Sequence, residues 1–510
     1  MYRKTNPNQM VFDFHIPFGG KLRCDNRWVI LSQQIPWDQI ESQYAGLFEE
    51  SHLGCPAKSS RVALGALIIK ERLQTTDRET VEQIRENPYL QYFLGSPGYT
   101  DKEPFHHTSM VHFRKRFDQE ILAQINELIV LKALQNEQSQ CDETKDDTPK
   151  DNTPPSNQGK LLVDATCTPA DITFPTDVKL LNEAREKTEE IIDRMHAPLI
   201  GKRPKPRTYR KKARKDYLAL IKQKSPGHKK IRKAIRKQLG YVGRNLKTIE
   251  GMASEGLLRY LGKRLYRLLL VSQELYRQQL WMYQNKCHRI ENRIVSLYQP
   301  HVRPIVRGKA HAPVEFGAKV SISLVDGFSF VDVLSWDAYN ESGDLEGQIE
   351  SYRARYGFYP ESAHADKIYR TRDNRRYCKE HGIRLSGPAL GRPKQLTESN
   401  KEELQAIKRQ QRQDEIDRIA VEGKFGQGKR RFTLNRIMAK LAETSEAVIM
   451  VSFIVMNLEK ILSSILLCLL GVWYDIRHLL RAMVWSCHEE LRMQIEIASC
   501  PIHCEGYCLK

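Results

Sequence analysis

Residues 160–168, Lys-Leu-Leu-Val-Asp-Ala-Thr-Cys-Thr, put a carboxylate inside an apolar run. A short apolar run bounded by polar, proline-rich sequence reads as a buried strand. Asp164 lies within it and needs compensation, because burying a lone charge is costly. Backbone amides or a cation could supply that compensation. Working outward, Ala318–Leu324 alternates apolar and polar residues and reads as a half-buried strand, and Phe328–Leu334 reads as its hairpin partner across the Asp326-Gly327 turn. Asp326 is thereby a turn residue. A helix with Leu345, Ile349, Tyr352 and Tyr356 on one face follows, then the short segment Ser362–Lys367 containing Asp366. Beyond it come a helix from Arg372 to His381 and a strand at Ile383–Ser386. An acid at the C-terminal end of a strand in this order lies where α/β folds place their sites. Strand character is also expected at Arg293–Leu297.

The chain has 510 residues, a formal net charge of +19 and an isoelectric point near 9.3. That length allows more than one domain. The charge favours a polyanionic partner, nucleic acid before membrane. The apolar stretch Val448–Trp473 is interrupted by Asn457, Glu459 and Lys460, which argues against a membrane span. The first residues, MYRKTNPNQMVFDF, lack the apolar core of a signal peptide, so a cytoplasmic protein with reduced cysteines is expected.

The N-terminal third reads as helical. Val62, Leu64, Leu67, Ile68 and Leu73 form an apolar stripe, Thr76 with Glu79 forms a capping box for a second helix, and Pro88 stops it. A third helix from Thr108-Ser109 carries Phe113, Phe117, Ile121, Ile125 and Leu128, with Arg114, Lys115 and Arg116 as candidate phosphate contacts. His106, His107 and His112 lack partner acids or cysteines at ligand spacing and read as polar surface. Residues 138–159, rich in acids and proline, read as a flexible linker. From Gly201 to Lys247 stand nineteen Lys or Arg against the single acid Asp216, with Lys211, Lys212, Arg214 and Lys215 in its densest part. A solvated face usually mixes signs, so this run reads as a phosphate track. Leucine-rich helical sequence from Leu257 to Leu297 backs it.

Arg412–Arg431, RQDEIDRIAVEGKFGQGKRR, reads as an acid-rich helix that stops at a glycine-spaced basic loop. Arg418 and Glu422 are four apart on one face, and Lys429 lies seven beyond Glu422. The stretch GKFGQGKR at Gly423–Arg430 imitates a P-loop. Arg430 occupies the place of the Ser or Thr, and no strand precedes it, which excludes that reading.

The ensemble resembles the bacterial insertion-sequence transposases of the DDE superfamily with a helical N-terminal transposase domain. The residues that carry the likeness are GALIIKERLQTTDRETVEQIRENPYLQYFLG at 65–95, LLVDATCTPADITFPTD at 161–177, VRPIVRGKAHAPVEFGAKVS at 302–321, ADKIYRTRDNRRYCKEHGI at 365–383 and VEGKFGQGKRRFTLNRIMAKLAETSE at 421–446. The resemblance implies an α/β, ribonuclease-H-like catalytic core, a mixed sheet flanked by helices, with a large helical basic insertion and an all-α N-terminal domain. It implies a DNA-end-binding domain at 1–137, the linker at 138–159, a catalytic domain at 160–460 with the insertion at 178–292, and a C-terminal helical tail at 461–510. Asp164, Asp366 and Glu422 would be the catalytic, metal-binding triad for Mg2+, with Mn2+ able to substitute. Arg418 and Lys429 match the cations of the Tyr, Arg, Glu, Lys signature, and Glu415 stands where its Tyr would be. With Arg430 and Arg431 they would hold DNA phosphates. The implied activity is binding of terminal inverted repeats, DNA cleavage and joining of 3′-OH ends to target DNA, by a homo-oligomer assembled on double-stranded DNA in the nucleoid, away from membrane. Two alternatives stay open: an inactive DNA-binding descendant, and a nuclease without strand transfer. The Cys and His residues of the tail, Cys487 to Cys508, lack a CxxC pair and make no zinc pattern.

Overall fold

The computed structural model describes residues 14–16, 20–48, 56–142, 157–306, 314–388, 391 and 401–467. The chain divides into units at 1–456 and 457–510. Tail residues 468–510, with Cys487 to Cys508, lie outside the described residues.

The first unit opens with helices α1 (Arg27–Gln34), α2 (Trp37–Ala45), α3 (Ser60–Leu73), α4 (Asp77–Glu86), α5 (Pro88–Phe93), α6 (Ser109–Arg116) and α7 (Gln119–Asp142). Side-chain caps fix their starts: Ser59, Thr76 and Asn87 accept from the amides of Val62, Glu79 and Tyr89, and Pro88 fills the first position of α5. Arg61 is the buried centre of this bundle. Its guanidinium donates to the carbonyls of Tyr92 and Phe93 at 2.9 Å each and to Ser32 Oγ at 2.7 Å. These carbonyls close the C-terminal end of α5, and that of Tyr92 also accepts from the Gly95 amide at 2.9 Å. The single third helix expected from Thr108 is two helices, because Phe117 leaves the helical conformation and is buried. α7 runs past position 138, into sequence expected to be linker.

β1 (Lys160–Pro169) lies at the centre of a mixed sheet. Helices α8 (Asp177–His196), α9 (Arg210–Ile221), α10 (His228–Ser254) and α11 (Lys263–Asn285) form the insertion. α8, α10 and α11 close over Leu180, Leu181, Ala184, Leu239, Val242, Leu268 and Leu275. The expected strand at Arg293–Leu297 does not form. Ile294 and Leu297 plug the helical cluster, Val295 packs with Ala170 and Val302, and the Ile294 amide donates to the Gln278 side chain, leaving no edge for pairing.

The sheet resumes with β2 (Arg303–Val306), β3 (Val314–Val325) and β4 (Phe328–Ser335). Asp326 and Gly327 both adopt positive φ, 48° and 77°, in the hairpin turn. β3 is buried along nearly its whole length, in place of the half-buried alternation its sequence suggests. Three strands pair with it and helices cover the sheet, so even Ser321 and Ser323 are buried. At Gly317 a Cβ would fall 2.0 Å from the Thr168 carbonyl oxygen, so only glycine lets β3 approach the end of β1 here.

α12 (Leu345–Tyr356), β5 (Ser362–His364), α13 (Arg372–Glu380) and β6 (Arg384–Leu385) follow, then the long α14 (Lys401–Arg431). The order is β2-β3-β1-β5-β6 with β4 on β3. β1 is antiparallel to β3 and parallel to β5, and β5 is parallel to β6. α14 continues through Gly423, Gly426 and Gly428, where a basic loop was expected. Gly428 is buried, and a Cβ there would meet Leu434 at 2.6 Å. A further helix, α15 (Ala442–Leu467), is the one among the described residues long and apolar enough to cross a membrane. Within the first unit its residues Ile449–Met456 are buried almost without break, as in a core helix.

The N-terminal helices join the sheet region directly. Asn126 of α7 donates to the Ser329 carbonyl of β4 at 3.0 Å, and Arg355 of α12 pairs with Glu127 at 2.6 Å. Glu71 of α3 is buried and accepts from Thr433 Oγ1 at 2.7 Å and Ser452 Oγ at 2.8 Å.

Candidate active site

The parallel pairing of β1 with β5 aligns Leu161 with Ala363 and Leu162 with His364. Asp164 and Asp366 each stand two residues beyond this last pair, Asp164 within β1 and Asp366 just past the end of β5, so the register brings both acids to the same end of adjacent strands. Asp164 Oδ1 accepts from the Ala165 amide at 2.8 Å. Asp366 caps the short turn Lys367–Tyr369 and accepts from the Lys367 amide at 2.7 Å.

α14 supplies the third acid, and three ion pairs set its position on the sheet. Asp414, almost fully buried, takes both guanidinium nitrogens of Arg384 in β6 at 2.8 and 3.0 Å and lies 3.7 Å from His364 Nδ1. Asp417 pairs with Lys160 at the start of β1 at 2.7 Å, and Arg418 lies 3.7 Å from Asp366. The Arg384 pair is the strong one, being bidentate with a desolvated partner. The Lys160 pair, with its lysine 54% exposed, contributes about 0.2–1 kcal/mol. One turn beyond Arg418, Glu422 is exposed and has no hydrogen bond or ion pair among the described residues.

Asp164, Asp366, Arg418 and Glu422 border one cavity of about 690 Å³. Burial pushes the Asp164 carboxyl above the ordinary aspartate range; the Ala165 amide and Arg418 oppose this, while the negative charges of Asp366 and Glu422 add to it. The acids thus feel one another across a shared space. Their oxygens are the donors that hard divalent cations prefer. Among the described residues, however, no three His, Cys, Asp or Glu side chains are drawn together tightly enough to hold an ion. Arg418 provides the compensating positive charge instead. The donor chemistry fits a divalent cation, and cation binding requires the acids to close in and Asp366 to release Arg418.

Two further charged residues, Lys319 and Glu341, line this cavity without a signal in the sequence that singled them out. Lys319 of β3 donates to the Tyr339 carbonyl at 2.7 Å and pairs with Glu341. The one signal for Lys319 was a lysine in a strand otherwise made of small and apolar residues, which reads equally well as a solvent-facing position.

The expected DNA contacts fall into different classes. Arg114 is buried and holds Asp77 with both terminal nitrogens, at 3.1 and 2.6 Å. Arg116 donates to Tyr44 Oη at 3.1 Å and lies over Phe48. These two arginines tie the N-terminal helices together in this structure. Lys115 between them is exposed. Lys211, Lys212, Arg214 and Lys215 are exposed along α9, with no ion pair among the described residues. The single acid Asp216 is taken by Lys237 at 2.7 Å and by Tyr241. Arg430 and Arg431 are exposed in the last turn of α14, where cations also suit the helix dipole, and Lys429 is half-buried.

Comparison with known proteins adds two family matches. Residues 363–459 match the family described as "Transposase DDE domain", and residues 18–116 match "Transposase domain (DUF772)". The first contains Asp366, Arg418 and Glu422, and the second contains α1 to α6. The chain is also similar to the "Uncharacterized protein ORF8 in nfe locus" of Rhizobium meliloti, 28% identical over 156 residues that cover 31% of this chain and 68% of that protein. No solved structure matches.

Proposed function

We propose that this insertion-sequence DDE transposase, as the two family matches identify it, cleaves DNA at the ends of its element and joins the freed 3′-OH ends to target DNA. One observation carries the reading. The β1–β5 register and the anchoring of α14 bring Asp164, Asp366 and Glu422 around one cavity, although over two hundred and fifty residues separate the first from the last. The strand order, with β1 antiparallel to β3 and parallel to β5, supports a ribonuclease-H-like core.

In this reading Asp164, Asp366 and Glu422 hold divalent cations, Mg2+ or Mn2+. Bound there, such ions supply Lewis acidity and lower the pKa of an attacking water or 3′-hydroxyl. The chain's own groups do the rest. Arg418, released from Asp366, is free to take a DNA phosphate oxygen, and its planar fork suits that task. Lys319 and Glu341 border the same space as an ion pair, adding polar groups without net charge. The Ala165 amide holds the Asp164 carboxylate in one rotamer. Away from the cavity, the exposed cations of α9 and α10 grip the DNA backbone without reading sequence, and the N-terminal helices engage the terminal inverted repeats. The protein works as a homo-oligomer on double-stranded DNA in the cytoplasm.

Purified protein, Mg2+ and an end-labelled terminal-repeat duplex test this. Nicking followed by joined products is expected. Absence of both, or full activity in Asp164→Ala or Glu422→Gln, sinks the assignment, and nicking without joined products reduces the protein to a nuclease.

A further inference from the structure

A second cavity, of about 570 Å³, opens where the helical insertion meets the end of β1. It is built from the segment after β1, from α8 and α11, from the coil at 295–299 and from the residues just before α15. It shares no lining residue with the carboxylate cavity.

Its polar groups are of two kinds. Arg264 and Arg267 on α11 are exposed at its edge and have no acid partner among the described residues. Of the other cations in the lining, Lys440 is already spent on Asp171 at 2.7 Å, together with Arg436, and Lys179 donates to Thr173 Oγ1 and lies close enough to Glu183 to oppose the rise of its carboxyl. Two unpaired arginines one turn apart are suited to a phosphate group. The second kind is acceptors. Gln299 is only 2% exposed, and its Nε2 donates to the Asp171 carbonyl at 3.2 Å, yet its Oε1 has no partner. A buried amide oxygen left unpaired costs about 1–3 kcal/mol. Glu183 lies in the same lining, and burial raises its carboxyl above the ordinary range, so a donor placed beside it relieves a cost. Between these groups the walls are apolar, from Leu180, Leu268, Val295 and Leu441, and the Tyr298 ring at the mouth is 45% exposed.

An anion site at the rim, apolar walls and acceptors at Gln299 and Glu183 describe one ligand chemistry. We propose that this cavity binds a nucleotide, with the phosphate on Arg264 and Arg267 and a base that carries an amino group directed at Gln299 and Glu183. Adenine, cytosine and guanine each carry an amino group whose two N–H donors can serve both acceptors; thymine has no amino group and offers only its single ring N3–H. The volume is that of a small-ligand pocket, about 300–1,000 Å³. The nucleotide comes either free from solution or turned out of a DNA strand.

Calorimetric titration of the full chain in the absence of divalent metal tests the proposal with dAMP, dCMP, dGMP, dTMP and inorganic phosphate. At least one amino-bearing nucleotide should bind about tenfold or more tighter than dTMP and than phosphate, a difference of about 1.4 kcal/mol. The double variant Arg264→Gln, Arg267→Gln changes exposed side chains and should keep the wild-type melting temperature while losing about tenfold in affinity for every nucleotide. Gln299→Leu should erase the preference over dTMP. Asp164→Asn should bind as wild type, so a failure of the catalytic reading leaves this result untouched. A duplex with one unpaired 2-aminopurine separates the sources. Fluorescence quenching reversed by dGMP assigns the nucleotide to DNA, and mononucleotide binding without that displacement assigns it to solution. Nucleotides that bind no better than phosphate, or affinities unchanged in the arginine variant, overturn the proposal.

Discussion

Replacing Arg418 by Gln should make the protein bind divalent metal better and cut DNA worse. Arg418 and Asp366 lie 3.7 Å apart with side chains 22% and 53% exposed. An ion pair that wet contributes about 0.2–1 kcal/mol. Metal binding to Asp366 must give up that energy, so its removal tightens apparent affinity by the same amount, about 1.4- to 5-fold. Global stability should change by no more than about 1 kcal/mol. Cleavage, by contrast, loses a phosphate-binding cation beside the acids, and one phosphate contact fewer should also lower the salt slope of DNA binding by about one. Mn2+ titration followed by electron paramagnetic resonance without DNA gives the first quantity, and nicking of a labelled duplex at saturating Mn2+ gives the second. Mn2+ affinity that is unchanged or weaker in the variant would refute the view that Arg418 stands in for the metal. An Arg418→Lys control should restore part of the cleavage.

Three further outcomes follow from the geometry. Burial raises the folded-state pKa of Asp164 above its unfolded value, so its protonation stabilises the protein in acid and that contribution is lost as pH rises through the raised pKa. Asp164→Asn should therefore gain stability over wild type between acid and neutral pH while losing cleavage; urea melts at pH 4.5 and 7.5 in which the gap closes at the higher pH would contradict this. Arg114→Ala leaves Asp77 with Lys70 alone, at 3.7 Å, and loosens the N-terminal bundle, costing about 1–3 kcal/mol in urea denaturation, whereas Lys115→Ala should leave stability within about 0.5 kcal/mol. Equal effects would argue against the assigned roles. Changing Lys211, Lys212, Arg214 and Lys215 together to Gln should lower the salt slope of DNA binding by up to about 3.6 and spare folding, read by filter binding from low to moderate salt. An unchanged slope removes α9 from the DNA track.

What could be read in advance was what local chemistry decides. The Asp326-Gly327 hairpin, the Thr76 cap and the stop before Pro88 each depend on residues a few positions apart. The strand with Asp164 was legible for the same reason, since an acid in an apolar run is conspicuous wherever it packs. Legibility failed where a distant partner settles the matter. Ile294 and Leu297 look like strand residues, yet helices α8, α10 and α11 had a hole to fill. Gly423, Gly426 and Gly428 look like a loop, yet Leu434 closes on Gly428 and the helix runs on. Arg114 looks like a surface cation, and its burial against Asp77, thirty-seven residues earlier, shows only in the fold. The closeness of Asp164 to Asp366 lies between these cases. Each was suspected from its strand, but only the β1–β5 register makes them neighbours.

The buried Glu71 also bears on how such a protein can be taken apart. Its carboxyl belongs to the N-terminal helices, while the hydroxyls it accepts from, Thr433 and Ser452, follow the helix that bears Glu422. Cutting the chain at 143–156 would leave those two hydroxyls facing an empty space where α3 had been and would strip α7 from β4. The N-terminal helices and the sheet region are therefore not interchangeable cassettes. Exchanging the N-terminal helices for another set would mean grafting the Glu71 contact along with them.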